Sequence, residues 1–174
     1  MKEKSTYKIS YRALEPDDVS QLYLWENDLE ISQVSLSKVP FSKYVLGQYI
    51  SQAHLTIQQT GQFRFMLLDE DKHPLGCVDL FDYDAIHRRA AIGILIDPNF
   101  RSLGHASEAI QLMKAYSFDQ LGLHQLYCTV GAQNISSIRL FTSQGFVQIG
   151  LRKEWIFKNG GFDDVIDFQC INLL

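Results

Sequence analysis

The segment that most constrains this chain starts at Arg89. From there to Ile96 the residues form a nearly continuous apolar run, Pro98 stops it, Gly104 follows, and apolar residues then recur at helical spacing. An apolar run without polar alternation predicts a strand buried on both faces, and hence a central one. Ala106, Ala109, Ile110, Met113 and Tyr116 predict a helix to about Leu121, with Gly122 just past its end. A turn feeding a helix start is an anion site, because the unpaired first amides point outward and the positive end of the helix dipole lies there. Gly104 suits close backbone approach because it lacks a Cβ, and Arg101 adds a cation. Residues 94 to 106 therefore read as a cradle for pyrophosphate, although alone they equally fit a generic strand-turn-helix connection. No Gly-Lys-Ser/Thr follows, and only one glycine lies between 94 and 106, so neither a nucleotide-hydrolysing loop nor a dinucleotide fingerprint fits.

The remainder of the chain narrows the class. Its 174 residues, 46% apolar and 21% charged, fit one globular domain spanning residues 1–174. A formal charge of -4 and the lack of any Lys/Arg run argue against a nucleic-acid partner. The acidic balance weakly favours cationic substrates, though solubility is the simpler reading of it. No apolar stretch approaches a membrane span, and the charged start is not followed by a signal-peptide core, so a cytoplasmic protein is expected. Cys77, Cys128 and Cys170 are widely spaced in apolar contexts and read as buried thiols. The five histidines are scattered without zinc spacing, so no metal is expected.

Along the chain, residues 7–14 alternate as an edge strand, and Glu15-Pro16-Asp17-Asp18 opens a helix continued by Val19, Leu22 and Trp25 and ended at Asn27-Asp28. Ser42 is a candidate N-cap for a second helix bearing Val45, Leu46, Tyr49, Ile50 and Ala53 on one face. Residues 63–68 and 75–81 predict antiparallel strands around a turn at 69–74. After the long helix, residues 125–130 predict a strand, and Asn134 caps a helix that runs through Phe141 to Gln144 and stops at Gly145. Residues 146–151 and 165–173 predict a closing hairpin turning near Asn159-Gly160-Gly161. This order is a mixed α/β layer fold, with a mostly antiparallel sheet flanked by helices.

Four segments in the right order then carry a family likeness. Arg-x-x-Gly-x-Ala at 101, 104 and 106 resembles the Q/R-x-x-G-x-G/A loop of the GNAT superfamily of N-acetyltransferases. His87-Arg-Arg-Ala90, Leu123-His-Gln-Leu-Tyr127, and Asn134-x-x-Ser137-Ile138 with Gly145-Phe146 resemble its branch of spermidine and ribosomal-protein acetyltransferases. The resemblance implies the GNAT fold, with a central strand splayed from its neighbour and acetyl-CoA in the resulting V. It implies Leu95 and Ile96 against pantetheine, and Arg101, Leu103, Gly104, His105, Ala106 and Ser107 around pyrophosphate. Asn134 would lie near the cofactor's arm, or serve only as a helix cap.

Acetyl transfer requires a neutral attacking amine and tolerates an acid for the departing thiolate. In the resembling branch a tyrosine commonly supplies that acid, at the position that here is Phe141, and a glutamate often stands where this chain has Ala91. Phenylalanine has no proton to give. A thiolate of ordinary pKa, about 8.5, can nevertheless leave unaided. Asp79 and Asp82 are therefore candidates for binding or deprotonating the amine, although they share a sheet face only if a bulge intervenes, and with Asp84 they equally fit a solvated strand end. Tyr83 is a further candidate. Tyr127 reads first as a cross-strand packing residue. Trp25, Glu26 and Asp28 are candidates for shaping the acceptor pocket. The leading expectation is N-acetylation of a polyamine or diamine such as spermidine by a homodimer. A peptide N-terminus is the second acceptor, and a non-catalytic acyl-CoA binding module the alternative class.

Overall fold

The computed structural model describes residues 8–28, 30–31, 39–158 and 160–173. The elements, in order, are β1 (Ser10–Ala13), α1 (Val19–Glu26), α2 (Lys43–Ser51), α3 (Ile57–Thr60), β2 (Phe63–Leu68), β3 (Pro74–Asp84), β4 (Arg89–Ile96), α4 (His105–Ala115), β5 (Gln125–Gly131), α5 (Ile135–Ser143), β6 (Val147–Lys158) and β7 (Gly161–Ile171). The strands form one seven-stranded sheet in the order β1-β2-β3-β4-β5-β7-β6. All neighbours are antiparallel except β4 and β5.

β4 is central, as its composition predicts, but its burial is interrupted: Ala90, Ala91, Ile92 and Ile96 are buried, whereas Gly93, Ile94 and Leu95 between them are not. The reason lies in its pairing. The parallel ladder to β5 covers only Arg89↔Gln125, Ala90↔Leu126 and Ala91↔Tyr127. Beyond it β4 stays with β3 as far as Ile96, while β5 stays with β7 as far as Gly131. The sheet thus opens in the middle, and Ile94 and Leu95 are half-exposed there.

The sheet's two faces bury different helices. Leu22, Trp25, Leu46 and Ile50 from α1 and α2 pack on Met66, Leu68 and Cys77. Ala109, Ile110 and Met113 from α4 and Phe141 from α5 pack on Leu67, Val78, Leu80, Ile92 and Leu126. Fully burying a side chain such as Ile110 or Met113 stabilises the fold by about 1.5–3 kcal/mol.

The caps occur where side-chain chemistry calls for them. Ser42 Oγ accepts from the Val45 amide at 3.1 Å, and Asn134 Oδ1 from the Ser137 amide at 3.1 Å. The first helix differs from expectation, since Pro16–Asp18 form a 3₁₀ turn before α1. Asp18 is buried there and accepts from Arg12 at 2.6 and 2.9 Å and from the Glu15 amide at 2.7 Å, tying β1 to the helix. The long helix also ends early as an α-helix, continuing as a π turn over Tyr116–Gln120. β6 and β7 are both longer than expected. Tyr7 of the first expected strand and Asn159 of the expected hairpin turn lie outside the described residues.

Gly76 fixes the β3–β4 pairing beneath the opening. A Cβ there would sit 2.0 Å from the Leu95 carbonyl oxygen, which the backbone would have to move to relieve. Gly76→Ala is expected to cost about 2–3 kcal/mol, a clash term typical of overpacking. At about 2–4 °C per kcal/mol, thermal unfolding should show a midpoint roughly 5–10 °C lower.

Candidate active site

From Ile92 to Ile96, β4 has no strand partner on its β5 side. Backbone amides and carbonyls along such an edge accept an extended ligand as they would another strand. The far end of this edge leads through Pro98–Phe100, a 3₁₀ turn started by Asp97 accepting from the Asn99 amide at 2.9 Å, into the start of α4. Asp97 also accepts from Trp25 Nε1 at 2.7 Å, which fixes α1 against the end of β4.

Gly104 caps α4 with φ +90°, a conformation that favours glycine, and a Cβ there would meet no protein atom. The space above it is open, and among the described residues the His105 and Ala106 amides donate to no protein acceptor. Ser102 also holds a positive φ, +62°. Arg101 Nε donates to the Ile96 carbonyl at 3.1 Å, leaving its other nitrogens toward solvent, with Glu30 Oε2 4.0 Å from Nη1. An extended edge ending at an uncapped helix N-terminus beside an arginine fits a thioester arm and its phosphates.

On the α1–α2 side of the sheet lies a cavity of about 610 Å³. Its acidic lining consists of Glu26 from α1 and Asp79 and Asp82 from β3, with Arg64 from β2 among them, and Phe41, Val45, Phe63 and Phe81 supply an apolar wall. Arg64 meets Asp79 as a fork, with Nε to Oδ1 at 2.6 Å and Nη2 to Oδ2 at 2.9 Å, while Nη1 donates to Glu26 Oε1. The Tyr49 ring lies 5.8 Å from the guanidinium. Burial opposes the charge on Arg64, but Asp79 and then Glu26 outweigh it and hold its pKa above the ordinary value. Burial, followed by the Asp79 charge, pushes Tyr49 up to about 12.

The bulge that the Asp79/Asp82 spacing requires is present. β3 slips register between Phe81 and Asp84, and Asp82 sits within the slip at φ +50°. Both acids consequently line one cavity. The phenol of Tyr127 on β5 is raised by burial first and then by the charge of Asp82.

Several expected site residues fall elsewhere. Asp28 does not line the cavity, because its carboxylate accepts from the Glu30 and Ile31 amides at 2.7 and 3.1 Å. Trp25 is buried. Asp84 pairs outside the cavity with His87 Nδ1 at 2.8 Å and Arg89 at 3.2 Å. Phe141 lies in the core, edge-to-face with Phe146 at 5.1 Å between centroids, rather than on the cleft surface. Asp79 has both oxygens on Arg64, which leaves Asp82 as the carboxylate not held by a cation. Leu103, His105, Ala106 and Ser107 stand at the α4 start, and Leu95 and Ile96 on the open edge. Asn134 spends its oxygen on Ser136 and Ser137, and its amide nitrogen donates to none of the described residues. Tyr83 lines the cavity.

Arg64 and Tyr49 escaped the sequence reading. The signal for Arg64 was a lone cation inside the apolar strand Phe-Arg-Phe-Met-Leu-Leu, which a buried partner explains. Cys77 and Cys128 are buried free thiols, and burial raises both above the ordinary value, so neither is a nucleophile here.

Comparison with known proteins matches this geometry. The acetyltransferase (GNAT) domain family matches residues 8–147. The spermidine N(1)-acetyltransferase of Vibrio cholerae is 30% identical over 158 residues, covering 91% of this chain and 90% of that protein. An uncharacterised N-acetyltransferase, p20, of Bacillus licheniformis is 27% identical over 168 residues, covering 95% of this chain and 94% of its own. Among solved structures, the Vibrio cholerae spermidine N-acetyltransferase in complex with CoA and spermine superposes with a TM-score of 0.87 at 29% identity, covering 94% of this chain and 95% of that one. The chain belongs to the GNAT family of acetyltransferases. Its uncapped α4 start and open β4 edge are where the family resemblance led the donor to be expected.

Removing the cation that holds two part-buried carboxylates together should cost less than the about 3–5 kcal/mol of a fully buried pair broken from one side, since these side chains keep 13–24% of their surface exposed. Arg64→Met is expected to unfold at correspondingly lower denaturant, whereas Arg64→Met combined with Asp79→Leu should recover much of the loss.

Proposed function

We propose that this enzyme transfers the acetyl group of acetyl-CoA to a primary amine of a polyamine or diamine such as spermidine. Acetyl-CoA supplies an activated acyl group. The chain's own residues bind and orient it: the β4 edge at Leu95 and Ile96 along the arm, and Arg101 with Leu103 to Ser107 at the phosphates. Asn134 offers its amide nitrogen to the arm.

The observation that carries the acceptor assignment is the charge of the cavity. Three carboxylates, Glu26, Asp79 and Asp82, face one guanidinium, Arg64, so the lining has a formal charge of -2. A polycation is favoured in such a space, and its methylene segments suit the walls of Phe41, Val45, Phe63 and Phe81. Asp82, with no cation partner among the described residues, is the base that takes a proton from the attacking nitrogen. The V. cholerae relative carries the name of a spermidine acetyltransferase and its structure holds spermine, which supports the same acceptor class.

The enzyme acts in the cytoplasm as a single domain, and among the described residues no helix is long and apolar enough to cross a membrane. It self-associates through the edge strand β6, where Val147, Ile149 and Leu151 are 65, 59 and 49% exposed.

Thiol release from acetyl-CoA in the presence of spermidine, spermine, putrescine, amino acids or N-terminal peptides, with acetylated product confirmed by mass, tests this reading. Polyamine turnover is expected. Asp82→Asn should lower kcat/KM for spermidine about 100-fold, within the range of general-base losses. Gly104→Ala should raise the KM for acetyl-CoA by about tenfold at unchanged acceptor KM. Turnover of peptides instead of polyamines, or tight acetyl-CoA binding without product, contradicts the assignment and favours a protein acetyltransferase or a binding module.

A further inference from the structure

Phe141 is sealed in the core, so the expected position for an acid holds no proton donor, and the question is what else stands where the leaving sulfur would emerge. The sheet answers it by construction. Ala91↔Tyr127 is the last pair before β4 and β5 part, so Tyr127 sits where the open β4 edge closes. Ala91 and Gly93 share a face, and Gly93 is paired with Asp79, so this is the face of the acceptor cavity. Ala91 is itself paired with Phe81 on the other side, leaving only a methyl group between β3 and β5. Across that gap the β3 bulge holds Asp82 at φ +50°, near enough for its charge to act on the Tyr127 phenol. A non-glycine residue held at positive φ in a functional cleft suggests a maintained geometry.

We propose that Tyr127 is the general acid of acetyl transfer and acts as a pair with Asp82. As the acceptor nitrogen bonds to the acyl carbon and the carbon–sulfur bond breaks, Tyr127 gives its proton to the departing thiolate sulfur. Asp82 takes the proton that the nitrogen loses and passes it to the phenolate, restoring both groups. The ammonium's first proton goes to solvent, so each turnover releases one proton. This relay rests on the reading of the cleft as an acetyltransferase site.

The surroundings of Tyr127 suit the role. The charged groups acting on it are Asp82 and Asp84 from β3 and Arg89 from β4, and its pair on β7, Gln169, is uncharged. Burial, then Asp82, raise the phenol, whereas Arg89 lowers it. The net direction keeps Tyr127 protonated at neutral pH, as an acid must be before the leaving group develops charge.

The test combines kinetics with a measurement that needs no turnover. Tyr127→Phe keeps the ring, and its unfolding midpoint should stay within a few degrees of the wild type. Its kcat for the best acceptor should fall about 100-fold with acceptor KM within twofold, and the alkaline fall in kcat should vanish. In Tyr127→Phe/Asp82→Asn, kcat should be within about threefold of the worse single variant. Independently, carbon NMR of Cζ-labelled tyrosine in the enzyme without substrates, assigned by the Tyr127→Phe spectrum, should show Tyr127 titrating above the usual range, and Asp82→Asn should lower its midpoint. Undiminished kcat in Tyr127→Phe overturns the acid role, and a Tyr127 midpoint unmoved by Asp82→Asn overturns the pairing. A wild-type enzyme that acetylates none of the amines overturns the site reading instead, even where the NMR coupling persists.

Discussion

The parting of β4 from β5 after a three-residue parallel ladder is the constraint on which the rest of this molecule depends. Two strands that paired fully would bury the β4 edge and leave no room for an extended ligand. Here β4 is held to Ile96 by β3 alone, and β5 to Gly131 by β7 alone, so the sheet keeps its hydrogen bonds on the outside of the opening and forgoes them within it. The cost of an unpaired edge is relieved by water or by a ligand that supplies its own amides. Around this opening lie the uncapped start of α4 at one end, Tyr127 at the other, and the acidic cavity beside it.

That cavity is defined by an arginine as much as by its acids. Two carboxylates close together would repel, and one would take up a proton. Arg64 offsets that repulsion between Glu26 and Asp79 with three of its nitrogens, and Asp82 has no cation partner among the described residues. In the proposed reaction, binding and proton transfer fall to different acids, although the three lie on one cavity surface.

Much of this was legible in the sequence. The apolar run of β4, the proline after it, Gly104 and the periodicity of α4 are local signals, and the strand, turn and helix they predict are present. Ser42 and Asn134 cap where their side chains allow. The short helix α3 was also readable, because Thr56 and Gln59 form a capping box and Gly61 ends it at φ +72°, but its single turn carries too little periodicity to be noticed. What the sequence did not disclose were long-range partners. Asp79 looked like a free acid because Arg64 stands fifteen residues away on another strand. Asp28 looked like a pocket acid, whereas it caps the amides that follow it. Tyr127 looked like packing because it alternates with Leu126 and Cys128, and its nearness to Asp82 depends on where the β3 bulge places that acid.

The most direct measurement is amide hydrogen exchange of the wild-type enzyme with and without CoA. Slowed exchange at the open β4 edge, residues 93–95, and at the His105 and Ala106 amides is the result this account predicts, with the β3–β4 ladder unchanged. Exchange unaltered at both places under saturating CoA, or protection confined to another part of the sheet, would contradict it.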